Sequence, residues 1–288
     1  EIPLRLVGSE MCIRDSTRAT GKMSMVVAQN GPGITGLVTP IKTAYWNHTP
    51  LLLVTPQAAN KTMGQGGFQE VEQMNLFKDM VCYQEEVRDP SRMAEVLNRV
   101  IEKAIRGSAP AQINVPRDYW TQVIDIELPP IVRLERQGGG AEAISKAADL
   151  LSNAKFPVIL SGAGVVIGGA IEETKKLAEK LDSPVCSGYQ HNDSFPGSHP
   201  LAVGPLGYNG SKAAMELISK ADVVLALGTR LNPFSTLPGY GIDYWPKNAN
   251  IIQVDINPDR IGLTKKVTVG ISGDAKLVAQ QNLEKLST

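Results

Sequence analysis

The sequence predicts an α/β fold with two domains, each built around a parallel β-sheet. Short apolar segments alternate with segments of helical periodicity along most of the chain. The length of 288 residues is sufficient for two domains of ordinary size. Residues 128–140, which are rich in proline, arginine and glycine, separate two such α/β runs and predict the domain boundary.

In the first run, residues 50–55 (PLLLVT) are typical of a strand that is buried on both faces of a parallel sheet. The segment 90–106 has apolar residues at helical spacing. Predicted strands are residues 23–29, 50–55, 80–87 and 111–115, and predicted helices are residues 36–46, 71–77 and 90–106. Because helices separate the strands, right-handed crossovers and a parallel sheet follow.

The second run shows the same alternation. Predicted helices are residues 141–154, 170–181, 211–220 and 277–286, and predicted strands are residues 157–161, 184–187, 222–227 and 251–256. We therefore expect a second parallel sheet.

Residues 1–16 differ from the rest of the chain, because they have no clear period of 2 or 3.6 residues. They run directly into residues 17–22, which resemble the end of a helix with Gly21 as its stop, although no preceding helix is evident. We interpret residues 1–16 as non-native sequence and leave them out of the fold prediction.

Composition excludes several classes of protein. The 29 basic and 29 acidic residues give no net charge, which argues against nucleic acid or an anionic membrane as the main partner. Cys12, Cys82 and Cys186 are widely separated, which argues against a disulfide scaffold or a zinc site and favours the cytoplasm. Neither a long apolar span nor a signal peptide is evident.

Three turns are candidate ligand sites, each with a structural alternative. Residues 30–33 (NGPG) follow a strand and open a helix, as ligand-binding turns do, but a plain βα turn fits equally. Gly162, Gly164 and Gly168 approximate a dinucleotide fingerprint, or form a structural turn. Asp255 ends a predicted strand and would contact a ribose or cap the next turn. Asp182 lies near the distance from the Gly162 turn at which a ribose-binding acid is expected, but it follows a helix and not a strand.

The three histidines are not spaced as metal ligands, so we predict no metal site from them. His48 precedes the most apolar strand of the first domain and would face a ligand cleft or lie in a surface loop. His191 and His199 are predicted loop residues.

In order, several segments of the chain resemble those of the acetohydroxyacid-synthase-like thiamine-diphosphate enzymes. The segments are TRATGK (17–22), NGPG (30–33), AYWNHTPLLLVTPQ (44–57), GQGGFQEV (64–71), APAQINVPRD (109–118), ADVVLALGTRL (221–231), IIQVDINPDRIG (251–262) and GDAKLV (273–278). The resemblance implies a truncated pyrimidine-binding domain at 17–127, a linker at 128–140 and a Rossmann-like middle domain at 141–288. The C-terminal diphosphate-binding domain would be absent.

The resemblance also implies cofactors and site residues. Thiamine diphosphate and Mg²⁺ are expected in the intact enzyme, and FAD is not implied. Pro32 would pack on the aminopyrimidine, Gly33 would also bind the cofactor, and Gln69 would reach the active centre as cofactor-binding and catalytic group. Candidate substrate residues are Phe68, Gln65, Asn47 and His48. The family's Gly-Asp-Gly…Asn metal signature is not found, and its glutamate has no match except Glu1 or Glu10 within the non-native stretch.

Within the family, the variants AYWNHTP, GQGGFQEVEQ and LAVGPLGYNGS are most similar to the branch that converts sulfoacetaldehyde and phosphate to acetyl phosphate and sulfite, in organosulfonate and taurine degradation. A homodimer or homotetramer is implied, and the fragment alone is expected to be inactive. Two alternatives stay open: an acetolactate-synthase-type carboligase, and a non-catalytic nucleotide-binding module that uses the Gly162 turn.

Overall fold

The structure is a computed structural model that describes residues 9–130 and 135–286. The chain divides into two compact units, Glu1–Arg133 and Leu134–Thr288. Each unit has its own parallel sheet and its own apolar clusters. The prediction of two parallel-sheet α/β domains is confirmed.

The first unit holds a four-stranded sheet in the order β1-β2-β4-β3, and every neighbouring pair of strands is parallel. Its described elements are α1 (Ser9–Thr20), β1 (Ser24–Val27), α2 (Pro32–Thr35), α3 (Val38–Trp46), β2 (Leu51–Gln57), α4 (Gln73–Phe77), β3 (Tyr83–Glu86), α5 (Met93–Gly107) and β4 (Pro110–Pro116).

Helices cover both faces of the central strand β2. Val96, Val100 and Ala104 of α5 pack with Leu52 and Val54 on one face. The other face, with Leu51 and Leu53, packs against an apolar cluster drawn mainly from α2 to α4: Ile34, Leu37, Ile41 and Phe77. Side chains alternate across a strand, so these two clusters explain why residues 51–54 of β2 are all apolar.

Two expectations about this unit are corrected. A helix does precede Gly21, because α1 covers Ser9–Thr20 and Gly21 follows it at a φ of 69°. That residues 1–16 are non-native sequence stays a prediction, since a helical conformation does not show the origin of a segment. Thr17 is buried, and its hydroxyl donates to the Ser24 hydroxyl at 2.8 Å. Glu1 lies outside the described residues.

The second correction concerns residues 51–54. If the truncated domain lacked its first strands, these apolar residues of the sheet would be poorly covered. All four residues are buried, since each of them pairs with one of the four residues of β1. Within this sheet, exposed apolar side chains lie on β1, where Met25 is 59% and Val27 is 47% exposed.

The second unit holds a six-stranded parallel sheet in the order β10-β9-β8-β5-β6-β7. Its described elements are α6 (Ala141–Ser152), β5 (Pro157–Ser161), α7 (Ala163–Ile167), α8 (Ile171–Leu181), β6 (Val185–Gly188), β7 (Ala202–Leu206), α9 (Lys212–Ile218), β8 (Val223–Leu227), β9 (Asn250–Asp255), β10 (Val269–Ser272) and α10 (Ala275–Lys285). The chain runs outward from β5 to β7 and then from β8 to β10. This doubly wound order places the topological switch point between β5 and β8.

The segment before α6 is part of the second unit. The Gln137 carbonyl accepts from the Asp274 N–H at 2.8 Å, and the Arg136 guanidinium donates to the Gly168 carbonyl at 2.5 Å. Gly139 lies so close to Ile271 that a Cβ there would be 2.4 Å from its side chain. Residues 135–140 of the predicted linker 128–140 are therefore packed rather than connecting chain.

Candidate functional site

The carboxyl edge of the first sheet brings three chain segments together, because β1, β2 and β4 are parallel neighbours. Residues 28–33 follow β1, residues 58–70 follow β2, and residues 117–120 follow β4. The carboxyl edge of a parallel sheet is the usual ligand-binding edge of an α/β domain. The segments 28–33 and 58–70 contain the predicted residues Pro32, Gly33 and Gln69.

Gly31 allows the turn after β1 to contact the loop that holds Gln69. It has a φ of 73°, a region that favours glycine. A Cβ on Gly31 would lie 2.8 Å from the Gln69 Cβ and 2.9 Å from the Gln69 carbonyl oxygen. Glycine is therefore required here both by the backbone conformation and by close approach.

Two amide side chains fix Gln69, which itself has a φ of 63°. The Gln29 amide donates to Gln69 Oε1 at 2.9 Å, and the Asn30 amide donates to the Gln69 carbonyl at 3.1 Å. With its oxygen engaged by Gln29, the Gln69 amide keeps its N–H donors for a ligand.

Glu70 holds the exposed loop that precedes Gln69. Its carboxylate accepts from the Gly64 N–H at 2.6 Å and from the Gly67 N–H at 3.1 Å. At the start of the loop, the Asn60 N–H donates to the Asp118 carboxylate at 3.2 Å. The loop is thus exposed but anchored by charge-assisted hydrogen bonds at both ends.

A buried polar cluster connects β2, β3, β4 and α4 next to this edge. The Thr55 hydroxyl donates to Asn114 Oδ1 at 2.7 Å and accepts from the Gln112 amide at 2.9 Å. The Asn114 amide donates to the Glu86 carboxylate at 2.6 Å, and the Gln73 amide donates to the Pro56 carbonyl at 2.7 Å. Such a cluster fixes the relative positions of the strand ends that carry the site.

An open cavity of about 350 Å³ lies at the same edge. Its described lining residues are Val27, Ala28, Gln29, Pro56, Arg117 and Trp120. Gln29 both lines the cavity and donates to Gln69, so the cavity is contiguous with the Gln69 cluster. Arg117 and Trp120 were not predicted as site residues, because only the strand order β1-β2-β4 brings the segment after β4 to the same cavity as the segment after β1.

The structure brings some predicted site residues together and separates others. Pro32 is exposed and Gly33 half-buried in the turn that contacts Gln69. On the neighbouring loop, Phe68 is 89% exposed, and the Gln65 amide donates to the Lys61 carbonyl at 3.2 Å.

Asn47 and His48 are not part of this cluster. They lie between the end of α3 and the start of β2, at the amino edge of the sheet. The seven residues of β2 separate them from the carboxyl edge by about 20 Å. Their proposed contact with a substrate beside Gln69 is therefore not supported by their position.

At the switch point of the second unit, backbone packing accounts for the glycine-rich turn. A Cβ on Gly162 would lie 2.6 Å from the Gly228 carbonyl oxygen, and one on Gly164 would lie 2.7 Å from the Gly228 Cα. The Gly164 N–H donates to the Gly228 carbonyl at 2.8 Å. At Gly168, a Cβ would lie 2.7 Å from the Gly164 carbonyl oxygen. These contacts favour the structural interpretation of the turn over a dinucleotide site.

Asp255 and Asp182 have local structural roles. Asp255 is buried, and its carboxylate accepts from the Asn257 N–H at 2.9 Å, which caps the turn after β9. Burial raises the pKa of Asp255, against the opposing effect of this hydrogen bond and of the Arg260 guanidinium at 3.8 Å. Asp182 is the exposed left-handed residue that ends α8.

His191 and His199 both lie outside helices and strands. His191 Nδ1 is 3.4 Å from the Asp193 carboxylate. His199 Nε2 is 3.2 Å from the Glu179 carboxylate, and its Nδ1 accepts from the Leu201 N–H. Within residues 9–130 and 135–286, no cluster of His, Cys, Asp or Glu could hold a metal ion, and no helix is long and apolar enough to span a membrane.

Two family models match the chain, one in each unit. The N-terminal TPP binding domain of thiamine pyrophosphate enzymes matches residues 15–76. The central domain of thiamine pyrophosphate enzymes matches residues 144–282.

Curated relatives and solved structures agree with these matches. The chain is 80% identical over 271 residues to the sulfoacetaldehyde acetyltransferase of Roseovarius nubinhibens, covering 94% of this chain and 45% of that protein. It is 31% identical to the acetolactate synthase of Arthrospira platensis, covering 93% and 48%. The crystal structure of benzoylformate decarboxylase from Polynucleobacter necessarius superimposes with a TM-score of 0.82 at 23% identity, over 94% of this chain and 51% of that chain. The chain thus spans about half the length of the curated relatives that it matches.

Proposed function

Because this chain belongs to the thiamine pyrophosphate enzymes, we propose that it takes part in transferring an acetyl group from sulfoacetaldehyde to inorganic phosphate, with release of sulfite. The observation that carries the proposal is the 80% identity to a sulfoacetaldehyde acetyltransferase, against 31% to an acetolactate synthase. The cavity next to Gln69, with one cationic side chain among its described lining residues, supports a small anionic substrate. The reaction belongs to organosulfonate degradation, for which we propose a cytoplasmic location.

The turn at residues 30–33 fits the pyrimidine ring of thiamine diphosphate. Pro32 presents an exposed apolar ring at the carboxyl edge, and the contact of Gly31 with Gln69 holds the turn in place. Thiamine diphosphate, when bound, supplies the carbanion chemistry. Gln69 would donate hydrogen bonds to the oxygen of the reacting carbonyl group, and Gln29 would orient its amide.

Mg²⁺ is proposed as the counterion of the diphosphate, because hard cations prefer oxygen ligands. The described residues do not supply a cluster that fits this ion, and we assign no step to it. We further propose that the site is completed by a second subunit, in a homodimer or homotetramer.

The test uses the protein expressed from the complete reading frame that contains this chain. With thiamine diphosphate and Mg²⁺, sulfoacetaldehyde and phosphate should yield acetyl phosphate and sulfite in equal amounts. Gln69→Ala should lower kcat/KM by about a hundredfold, as loss of an oxyanion donor does. Asn153→Ala removes an exposed amide in the second unit and serves as the control.

The outcomes separate the alternatives. Formation of acetolactate from pyruvate, without acetyl phosphate from sulfoacetaldehyde, would replace the proposal with a carboligase. Tight binding of ADP or NAD without any thiamine-dependent activity would favour the nucleotide-binding module.

A further inference from the structure

Arg117 is the charged residue among the described residues that line the cavity at the carboxyl edge of the first sheet. It follows β4 directly and is exposed. No hydrogen bond or ion pair of its guanidinium is found within the described ranges 9–130 and 135–286. Its donors are therefore available to a ligand.

The neighbours of Arg117 are held by the protein. The Tyr119 hydroxyl donates to the Arg88 carbonyl at 2.8 Å, and the Trp120 indole donates to the Val115 carbonyl at 3.3 Å. The adjacent carboxylate of Asp118 accepts from the Asn60 N–H. The short helical turn Arg117–Tyr119 is thus fixed in position while the Arg117 side chain stays unengaged.

We propose that Arg117 binds the sulfonate group of the substrate, an assignment that rests on the proposed function. A guanidinium presents several N–H donors in a planar fork that suits the oxygens of a tetrahedral oxyanion. A sulfonate carries one negative charge, which this one cation matches. Gln29 connects the cavity to Gln69, so a two-carbon sulfonate held by Arg117 has its carbonyl end on the side of the Gln69 amide.

The lining of the cavity favours an organic sulfonate over inorganic phosphate. Val27, Ala28, Pro56 and the Trp120 ring provide apolar surface for the carbon atoms that join the sulfonate to the carbonyl group. Phosphate has no such carbon atoms, and desolvating a more highly charged ion beside apolar walls costs more free energy. Arg117 therefore selects the first substrate, and phosphate is accepted elsewhere.

Binding is tested on the 288-residue chain with isethionate, an unreactive two-carbon sulfonate. Isethionate should quench the fluorescence of Trp120, which lines the cavity, and Trp120→Phe should abolish this response. Arg117→Gln should weaken isethionate binding by about tenfold or more, the loss expected for charge-assisted hydrogen bonds. Arg106→Gln, at the end of α5 and on the opposite edge of the sheet, makes the same charge change and should leave the affinity unaltered.

Several results would overturn the assignment. The first is the lack of a saturable fluorescence response to isethionate in the unaltered chain. The second is an equal affinity for isethionate in the unaltered chain and in Arg117→Gln. The third is that Arg117→Gln loses phosphate binding but keeps isethionate binding. The last result would assign the residue to the other substrate.

A kinetic test on the product of the complete reading frame separates this inference from the proposed function. If the unaltered protein forms acetyl phosphate, Arg117→Gln should raise KM for sulfoacetaldehyde at least tenfold and leave KM for phosphate unchanged, with partial rescue by Arg117→Lys. An active protein whose KM for sulfoacetaldehyde is unchanged in Arg117→Gln contradicts the inference alone. An inactive unaltered protein contradicts the proposed function, while the isethionate titration still decides on the binding site.

Discussion

At the scale of single residues, Gly31 connects the turn after β1 to the loop that ends at Gln69. Its positive φ and the 2.8 Å approach of a Cβ to the Gln69 side chain are independent reasons for glycine. The two side-chain bonds from Gln29 and Asn30 depend on the same approach. A change at Gly31 should therefore disturb both stability and the position of Gln69.

We predict that Gly31→Ala lowers the free energy of unfolding by about 1–3 kcal/mol, the usual cost of a strained backbone conformation. Gly36→Ala is the matched control, because Gly36 has a helical φ of −63° and its nearest neighbours would be 3.5 Å from a Cβ. Denaturant unfolding of both variants measures the difference. Equal stabilities would show that the contact with Gln69 is not required.

Asp222 provides a pH-dependent contribution in the second unit. Burial alone would raise the pKa of Asp222, but hydrogen bonds from the Lys155 and Phe156 N–H groups outweigh it and lower the pKa. A lowered pKa in the folded state stabilises the fold above the unfolded pKa of about 3.9. This stabilisation is lost as the pH falls through the folded pKa.

Asp222→Asn should therefore cost about 1 kcal/mol at pH 7, a modest value because the carboxylate is only partly buried. The stability difference from the unaltered chain should shrink below about pH 4. Unfolding curves between pH 7 and pH 3 test this, with the exposed Asp149→Asn as control. A difference that is constant with pH would contradict the role of the charge.

At the scale of elements, one carboxylate holds the part of the β2–α4 loop that precedes Gln69. Glu70 accepts from both Gly64 and Gly67, whereas the loop itself is exposed and contributes little apolar burial. Such a segment has low local stability unless its hydrogen bonds hold it.

We expect Glu70→Gln to raise amide hydrogen exchange in residues 61–69 by about fivefold, because a neutral amide replaces a charged acceptor. Glu72→Gln is the control, since the exposed Glu72 side chain makes no cap hydrogen bond. If exchange in the loop is the same in both variants, Glu70 does not anchor it.

The strands that could be predicted from the sequence are mainly those that are fully buried. β8 and residues 51–54 of β2 are apolar without interruption because both faces of a parallel sheet are covered. In contrast, β7 was not predicted, because this edge strand is half-exposed and contains Gly204 and Pro205. The four-residue β10 alternates buried and exposed positions and is too short to show a period.

The site was predictable only in part, for a related reason. Pro32 and Gln69 were identified by resemblance to a family, and the structure places the turn and the loop that hold them in contact. Arg117 has no local signal, since its position in the cavity depends on which strands are neighbours in the order β1-β2-β4. The separation of Asn47 and His48 from Gln69 has the same origin, because the sequence does not show at which edge of the sheet a loop lies.

At the scale of the whole molecule, the two units differ in how completely their sheets are covered. In the second unit, buried apolar clusters lie on both faces of the six-stranded sheet. In the first unit, β1 is an edge strand with Met25 and Val27 exposed on one face. Exposed apolar edge strands favour aggregation.

We predict that residues 17–127 expressed alone aggregate, whereas residues 135–288 fold cooperatively. Met25→Lys should increase the monomeric fraction of 17–127 in light scattering, because a charge on an edge strand opposes pairing with another chain. A monomeric, cooperative melt of unaltered 17–127 would contradict the prediction.

The packed segment before α6 yields a sharper comparison. Residues 141–288 lack Arg136 and Gln137, which bond to Gly168 and Asp274. They should therefore be less stable than residues 135–288 by about 2 kcal/mol in denaturant unfolding. If residues 135–288 and 141–288 were equally stable, residues 135–140 would be connecting chain, as the sequence predicts.

The strand order of the second unit also bears on how quickly it folds. The central pair joins Pro157 of β5 to Val223 of β8, with β6, β7 and three helices lying between them in the chain. This pairing must therefore close a long loop before its contacts stabilise the sheet. Folding rates fall as the sequence separation of contacting residues rises. The pairing of β5 with β8, which creates the switch point, should therefore also limit the refolding rate of this unit.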